Sequence, residues 1–553
     1  MRIVGLYSNH DGGYCVLEDG KIVEHIEIER YTRIKESGGD SLKYLKENYL
    51  DKNNLTYDDI DHWVGVYPEL SATRSKGEEY NTFKIIPKER FSFYAHHLSH
   101  AAHAFYSSEY NDSYILTMDG DGYENNQGYS ISCGLYYASE QGIVKLADIP
   151  ATRFSLGRIW SRLTRYVFKL SSGYPRGHQA GSIMAMAALG DYKKHYADMK
   201  RIFISDYAQA SATPRGHRKH VYVPPDQDPI HPYLNKYRVL AESSEEEKFN
   251  IAASLQKLTE EFIFNSITTL IKTSNKNGLA SKNICFAGGV MLNSSALGKV
   301  VKKFEGQLDN FFVPPVPYDG GLNIGACQYH WHHILKNKKE NNFVTPYLGE
   351  TYSQENILQC LEKREGEIFI ETNFSLEKCA DLLVDNKIVS VFQGRSESGR
   401  RALGNRSILA SPIKEEMKSM INEKVKHRQW YRPFAPSVLD EEGHKWFENY
   451  FFSPYMGFVF KFKQEQLGKA PAVQHLDNTA RIQSVRRANN EKYYNLIKYF
   501  YEKTNVPMVL NTSFNDREPI CETPQHALNC FLRTEIDYLY FLDVDILVSK
   551  VKE

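Results

Sequence analysis

At 553 residues, with 42% hydrophobic and 25% charged residues, the chain has the make-up of a soluble globular protein with room for two or three cores, which excludes general disorder. Lysine plus arginine and aspartate plus glutamate both total 68, so no net field draws the chain to nucleic acid; such a partner would need a local basic groove. The eight cysteines include no CxxC pair, which argues against a zinc knuckle and a disulfide framework.

The opening MRIVGLYSNHDGG lacks an apolar signal core, and no apolar run reaches the ~18 residues of a membrane span, so a cytoplasmic protein without a membrane segment is expected. Residues 2–30 then read as three β-rich runs separated by a glycine turn and by Glu18-Asp19-Gly20, a β-meander. Its first loop holds His10 and Asp11, where backbone N–H groups can meet a phosphate or acyl group. FYAHHLSHAAHAF (93–105) reads as helix, and NDSYILTMDGDG (111–122) as a buried strand ending in acids. Two further strands, at 128–138 and 142–150, repeat the opening pattern. The repeat predicts a duplicated α/β domain of the actin-like ATPase (ASKHA) type with its ligand in the cleft between halves. Helical periodicity runs from Glu245 to about Thr273, and NICFAGGV (283–290) is a strand entering the Gly288-Gly289 turn, a common seat for phosphate.

The polar stretch 332–353 is expected to be a linker, and a second αβ-rich domain is expected from about Glu355. The division expected is residues 1–345 and 346–553, with the last segment returning to pack on the first domain. Within the second domain, 389–412 reads as a strand, a glycine turn and a basic loop. The stretch 422–436 adds Lys424, Lys426, Arg428 and Arg432, with Pro433 and Pro436 fixing an extended loop.

Two chemical groupings follow. His96 and His100 are four apart on one helical face, the spacing that lets two imidazoles share a metal, whereas His97 and His103 point elsewhere. Asp119 and Asp319 stand at glycine-rich turns; with the two histidines they make a mixed N/O set suited to iron, manganese or zinc, and Asp121 is an alternative to Asp119. An isolated HxxxH is more often two satisfied core histidines. In the second domain, Lys426, Arg428, Arg432 and Arg481, with Ser513 and Asn515 as further donors, suit a triphosphate and a second phosphorylated substrate. The bland alternative is a solvated basic face.

Together these stretches resemble the NodU/CmcH family of O-carbamoyltransferases over nearly the whole chain. The motifs that carry the resemblance are GLYSNHDGG, HHLSHAAHAF, LTMDGDGYE, GGVMLN and PPVPYDGGLNIGA in the first domain. In the second they are the 392–410 block, VKHRQWYRPFAPSVL, HLDNTARIQ and NTSFNDREPI. The resemblance implies a C-terminal YrdC-like domain that makes carbamoyl-AMP from carbamoyl phosphate and ATP with Mg, using Lys426, Arg428, Ser513 and Asn515. It implies that Arg395, Arg401, Asn405, Arg406, Arg432, Arg481, Gly288, Gly289 and Asn293 hold nucleotide or carbamoyl phosphate. The N-terminal domain would move the carbamoyl group to an acceptor hydroxyl, with a divalent metal, iron by resemblance, on His96, His100, Asp119 and Asp319. His10 is the candidate for orienting the carbamoyl group or taking the hydroxyl proton.

The chain departs from the family pattern at Ala180 and Ser182, at Leu297 and at Ser398 and Arg400. The acceptor expected is a small-molecule hydroxyl such as a sugar, and a homo-oligomer is compatible with the sequence. A hydroxymethylated pyrimidine in DNA is the alternative acceptor, through the basic, aromatic stretches 160–179 and 213–225 with Arg215, Arg218 and Lys219. A tRNA threonylcarbamoyl-modifying fusion and a non-catalytic nucleotide-binding regulator are the competing classes.

Overall fold

The structure is a computed structural model that describes residues 1–67, 85–170, 179–206 and 231–551. It is mixed α/β and divides into two units, Met1–Val23 with Lys35–Val344, and Glu24–Ile34 with Thr345–Glu553.

The first unit is built on two five-stranded sheets. One holds β1 (Arg2–Tyr7), β2 (Gly13–Glu18), β3 (Lys21–Glu27), β4 (His62–Val66) and β5 (Phe91–Tyr94) in the order β3-β2-β1-β4-β5. The other holds β6 (Ser113–Tyr123), β7 (Ser130–Ser139), β8 (Gly142–Pro150), β9 (Asn283–Ala287) and β10 (Asn310–Phe312) in the order β10-β9-β6-β7-β8. Both follow one scheme. The first strand runs antiparallel to the second, and two later strands extend the sheet in parallel on its other side. The repeated sequence pattern is therefore a repeated topology.

Strands buried on both faces explain the apolar runs: Ile3, Val4 and Leu6 of β1 and Ile115 and Leu116 of β6 are all buried. The helix Leu322–Gln328 lies on the first sheet, where Leu322, Ile324, Ala326 and Cys327 pack with Ile3, Cys15, Leu17 and Val64. The helix His96–Tyr106 packs in turn on Leu322–Gln328 through Gly325, where a Cβ would stand 1.9 Å from the Ser99 carbonyl oxygen. Only glycine allows that approach, and it carries the two histidines to the acid at the start of the second helix. The long helix Glu245–Lys276 runs slightly past its expected end; Ser244 caps it by accepting the Glu247 N–H, and three glutamates fill the first turn, where the helix dipole favours them.

The second unit contains an eight-stranded sheet in the order β11-β20-β19-β12-β13-β18-β14-β17. Its strands are β11 (Ile368–Glu371), β12 (Val389–Phe392), β13 (Arg406–Ala410), β14 (Ala435–Leu439), β17 (Gln483–Val485), β18 (Met508–Ser513), β19 (Tyr538–Phe541) and β20 (Ile546–Lys550). A separate hairpin joins β15 (Val459–Lys461) to β16 (Thr479–Arg481).

Several expectations are corrected. The second half of the supposed basic loop is β13, a buried strand paired with β12 and β18. The extended proline loop closes early, because Ala435 and Pro436 already pair with Asn511 and Leu510. The linker is shorter than the polar run: Tyr329–Ile334 is helical, with His332 stacked on Tyr106 and His333 on Tyr329. Gly349 donates its N–H to the Ser396 carbonyl, so the chain is already part of the second unit there. The last strand, β20, pairs with β11 and β19 in the second unit's sheet.

The segment Glu24–Ile34, which the sequence division left in the first domain, is held by the second unit's carbonyls. Arg30 donates to the Glu397 and Gly399 oxygens, and Arg33 to those of Pro519 and Ile520. Among the described residues no helix is long and apolar enough to cross a membrane.

Candidate active sites

In the first unit, His96 and His100 lie one turn apart near the start of their helix. Asp119 lies in β6 where its register with β7 shifts, and Asp319 opens the turn that leads into Leu322–Gln328. Donor atoms of the four residues all lie within 4.8 Å of one another. His100 Nε2 is 3.1 Å from Asp119 Oδ2 and 3.5 Å from Asp319 Oδ1, and His96 Nε2 is 3.7 Å and 3.4 Å from the same two oxygens. Burial pulls the His96 imidazole down, but the Asp319 and Asp119 carboxylates outweigh it and hold it at about 10. Asp319 is held well below the usual carboxylate range because His96 and His100 overcome the burial that would raise it.

This group fits a divalent metal. His96 Nε2 is buried without a hydrogen-bond partner, two imidazoles and two carboxylates converge on it, and the mixed N/O set suits a first-row ion. The fit is close around the ring, since a Cβ at Gly122 would stand 2.3 Å from His96. Asp121 is not a competitor: it is ion-paired with Arg158. His97 is a satisfied core histidine, 2.8 Å from Thr117 Oγ1 and 3.0 Å from the Ile131 carbonyl oxygen; burial, reinforced by the neighbouring His96, pushes it well below the usual range. His103 Nδ1 lies 3.1 Å from Ser107 Oγ.

His10 reaches this group, with Nε2 3.5 Å from Asp319 Oδ2 and Nδ1 3.1 Å from Asp11 Oδ2. The Gly288-Gly289 turn borders it as well: a Cβ on Gly289 would lie 3.1 Å from Asp119 Oδ1. Asn293 is occupied by the protein itself, capping the helix Ser294–Lys303 at the Ala296 N–H and exchanging amide hydrogen bonds with Gln256. Tyr7 escaped the sequence reading; its hydroxyl donates to Asp319 Oδ2 at 2.9 Å. As an apolar-looking strand residue it gave no signal.

In the second unit, Lys426, Ser513 and Asn515 come together. The buried Lys426 ammonium donates to Asn515 Oδ1 (2.7 Å), Asn515 O (2.8 Å), Ser513 O (2.5 Å) and Ser513 Oγ (3.3 Å). Asn515 is fixed by donating from Nδ2 to the Glu518 carbonyl oxygen at 2.7 Å. Left-handed backbone at His427 (φ 45°) separates Lys426 from Arg428, whose Nε donates to Asn422 Oδ1 at 2.7 Å and whose guanidinium covers the Phe434 ring at 4.6 Å. Asn422 also donates to the Arg432 carbonyl oxygen at 3.0 Å, so it clamps this loop; the sequence gave no sign of it.

Burial and the charges of Arg432 and Arg481 push Arg428 well below the usual guanidinium range, and burial with Arg401 and Arg432 does the same to Arg481. Among the described residues, none of Arg428, Arg432 and Arg481 has a carboxylate partner, and Arg481 Nε is buried with no hydrogen bond. A half-buried set of like charges is costly unless an anion occupies it.

Three other expected phosphate ligands are tied into the framework instead. Arg395 donates to the Gly349 and Leu348 carbonyl oxygens, and Asn405 to that of Arg395. Arg406 is fully buried, bonded to the carbonyl oxygens of Gln393, Gly394, Asn405 and Glu522 and stacked 3.6 Å over Phe392. The cause is Glu397, whose Oε1 accepts the N–H groups of Leu403, Asn405 and Arg406 and so folds the loop around itself.

A second group with metal-type donors, Glu518, Cys521 and Cys530, has its carboxylate committed to Arg33 and Arg533. Of the departures from the family pattern, Ser182 and Leu297 are buried and Ser398 donates its N–H to the Pro346 carbonyl oxygen. Arg215, Arg218 and Lys219, and residues 171–178 of the other basic stretch, lie outside the described residues.

Comparison with known proteins identifies the family. The family model described as the carbamoyltransferase N-terminus matches residues 67–328, and that described as the carbamoyltransferase C-terminus matches 380–550. An uncharacterized protein of Synechocystis sp. is 30% identical over 96% of this chain and 94% of its own length. Nodulation protein NolNO of Sinorhizobium fredii is 31% identical over 96% of this chain and 78% of its own. The crystal structure of T. kodakarensis HypF aligns with 62% of this chain and 49% of that one, at 15% identity and a TM-score of 0.34. By both of its halves and by relatives that match it almost end to end, this chain belongs to the carbamoyltransferase family.

Proposed function

We propose that the chain is an ATP-dependent O-carbamoyltransferase that works through carbamoyl-AMP. The observation that carries this reading is the half-buried cluster of Arg428, Arg432 and Arg481, which has no carboxylate partner among the described residues, together with the fixed Lys426–Asn515 pair. Such a cluster suits phosphate oxygens, and it costs little reorganisation when charge develops on a transferring phosphoryl group. Carbamoyl phosphate, water and ATP would give carbamoyl-AMP, phosphate and pyrophosphate, in a unit we take to be YrdC-like.

The second stage belongs to the first unit, whose repeated sheet topology is compatible with the actin-like architecture. There an acceptor hydroxyl attacks the carbamoyl carbon, the bond to AMP breaks, and AMP leaves. His10, with 37% of its side chain exposed beside the buried His96/His100/Asp119/Asp319 group, is placed to orient the carbamoyl group or take the hydroxyl proton. A divalent ion on that group, iron by the family resemblance, would supply Lewis acidity toward carbamoyl or phosphate oxygens. We take the acceptor to be a small-molecule hydroxyl.

The test is release of pyrophosphate from ATP by the purified protein. Release that requires carbamoyl phosphate and is lost in Lys426→Ala and Arg428→Ala supports the reading. Release that ignores carbamoyl phosphate, or survives both substitutions, contradicts it.

A further inference from the structure

The two acids of the metal-type group are each divided between two tasks. Asp119 turns Oδ2 toward both imidazoles, while its Oδ1 accepts the Gly120 N–H at 2.6 Å. Asp319 turns Oδ1 toward both imidazoles, while its Oδ2 accepts the Tyr7 hydroxyl at 2.9 Å. Each acid therefore offers one oxygen to the space that the two Nε2 atoms share, and its other oxygen is already held. For Asp119 the tether is backbone. For Asp319 it is a side chain more than three hundred positions away in sequence.

Tyr7 is well placed for that task. It is the last residue of β1, 8% exposed, and its ring packs with Cys15, Val66, Tyr318 and Leu322, so the hydroxyl has little freedom. His10 also faces Oδ2, but at 3.5 Å, from a partly exposed ring that shares its other nitrogen with Asp11.

We propose that Tyr7 is a positioning residue whose hydroxyl pins Asp319 Oδ2, so that Asp319 meets a bound divalent cation through Oδ1 alone. The inference rests on reading His96, His100, Asp119 and Asp319 as a metal group. A carboxylate released from such a tether can turn and chelate through both oxygens, and partners of this kind typically govern affinity as well as orientation.

The experiment uses the full chain, cobalt(II) as the probe ion, and Tyr7→Phe, which keeps the ring in the core and removes only the hydroxyl. Tyr106→Phe, a buried tyrosine at the far end of the histidine helix, controls for loss of a core hydroxyl. Cobalt affinity, measured by competition with a chromophoric chelator, is expected to fall about 10- to 100-fold in Tyr7→Phe and to hold in the control. The visible band of the bound cobalt should weaken in Tyr7→Phe, as expected when the donor count rises. Wild-type affinity and spectrum in Tyr7→Phe would overturn the proposal while leaving the metal reading intact. A wild-type protein that takes up no cobalt would overturn both.

Discussion

Asn515 Oδ1 accepts the Lys426 ammonium at 2.7 Å and the Ser513 hydroxyl at 2.7 Å, so one amide oxygen holds both the cation and the neighbouring hydroxyl in place. Lys426 is buried, and the hydrogen bonds described above hold its ammonium in one place. An ammonium held this way is preorganised toward a phosphate or carbamoyl oxygen. Asn515→Ala should therefore loosen Lys426 and cut carbamoyl-phosphate-dependent pyrophosphate release by about a hundredfold, the usual scale for one preorganised donor group. Initial rates at saturating ATP check this; a loss below about threefold would count against the arrangement.

The metal-free His96 imidazole sits at about 10, raised by Asp319 and Asp119 against its burial. A metal needs the neutral ring, so at neutral pH each ion bound must displace a proton from His96. Apparent affinity for a divalent ion should thus rise about tenfold per pH unit between about pH 7 and 9, and fall correspondingly as pH drops. In the metal-free protein the sign is opposite: a folded-state value above the unfolded one stabilises below about pH 6.5, and that gain is lost as pH rises through about 10. Titration calorimetry in two buffers of different ionisation enthalpy should read about one proton released per ion.

Arg30 lies in the N-terminal segment that belongs to the second unit, bonding the Glu397 and Gly399 carbonyl oxygens and lying 3.9 Å from Glu522. Arg30→Met leaves Glu522 buried beside fewer cations, and removing one partner of such a pair costs about 3–5 kcal/mol. Chemical denaturation should show that loss. A fragment beginning at Thr345 should fold poorly unless residues 24–34 are supplied in trans as a peptide.

Gly325 carries the contact that brings the histidine helix to Asp319. Gly325→Ala places a methyl group into the Ser99 carbonyl, so the helices must part. The expected result is overpacking of about 1–3 kcal/mol together with weaker metal binding, whereas pyrophosphate release should be largely retained. Thermal unfolding and cobalt uptake measured on the same sample check both halves.

Legibility from sequence followed locality. His96 and His100 are four apart on one helix, so spacing alone put them on one face, and Asp119 lies in a recognisable strand. The doubled meander was readable because a strand's alternation and a glycine turn are local signals. Tyr7 and Asn422 were not readable, because each acquires its role only from partners brought in by the fold. The loop 395–406 misled for a related reason: charge in sequence says nothing about where it goes, and Glu397 turned Arg406 and Asn405 inward. Arg30 shows the same limit at the scale of whole units, since strand β3 looks like part of its meander while the chain from Glu24 to Ile34 groups with the second unit.

The central claim is that a carbamoyl adenylate forms. Its most direct test is exchange of labelled pyrophosphate into ATP, catalysed by the wild-type protein with and without carbamoyl phosphate and by Arg428→Ala. The account predicts exchange that appears only with carbamoyl phosphate and disappears in the variant. Exchange that is independent of carbamoyl phosphate, or absent while the protein still transfers carbamoyl groups, would contradict it.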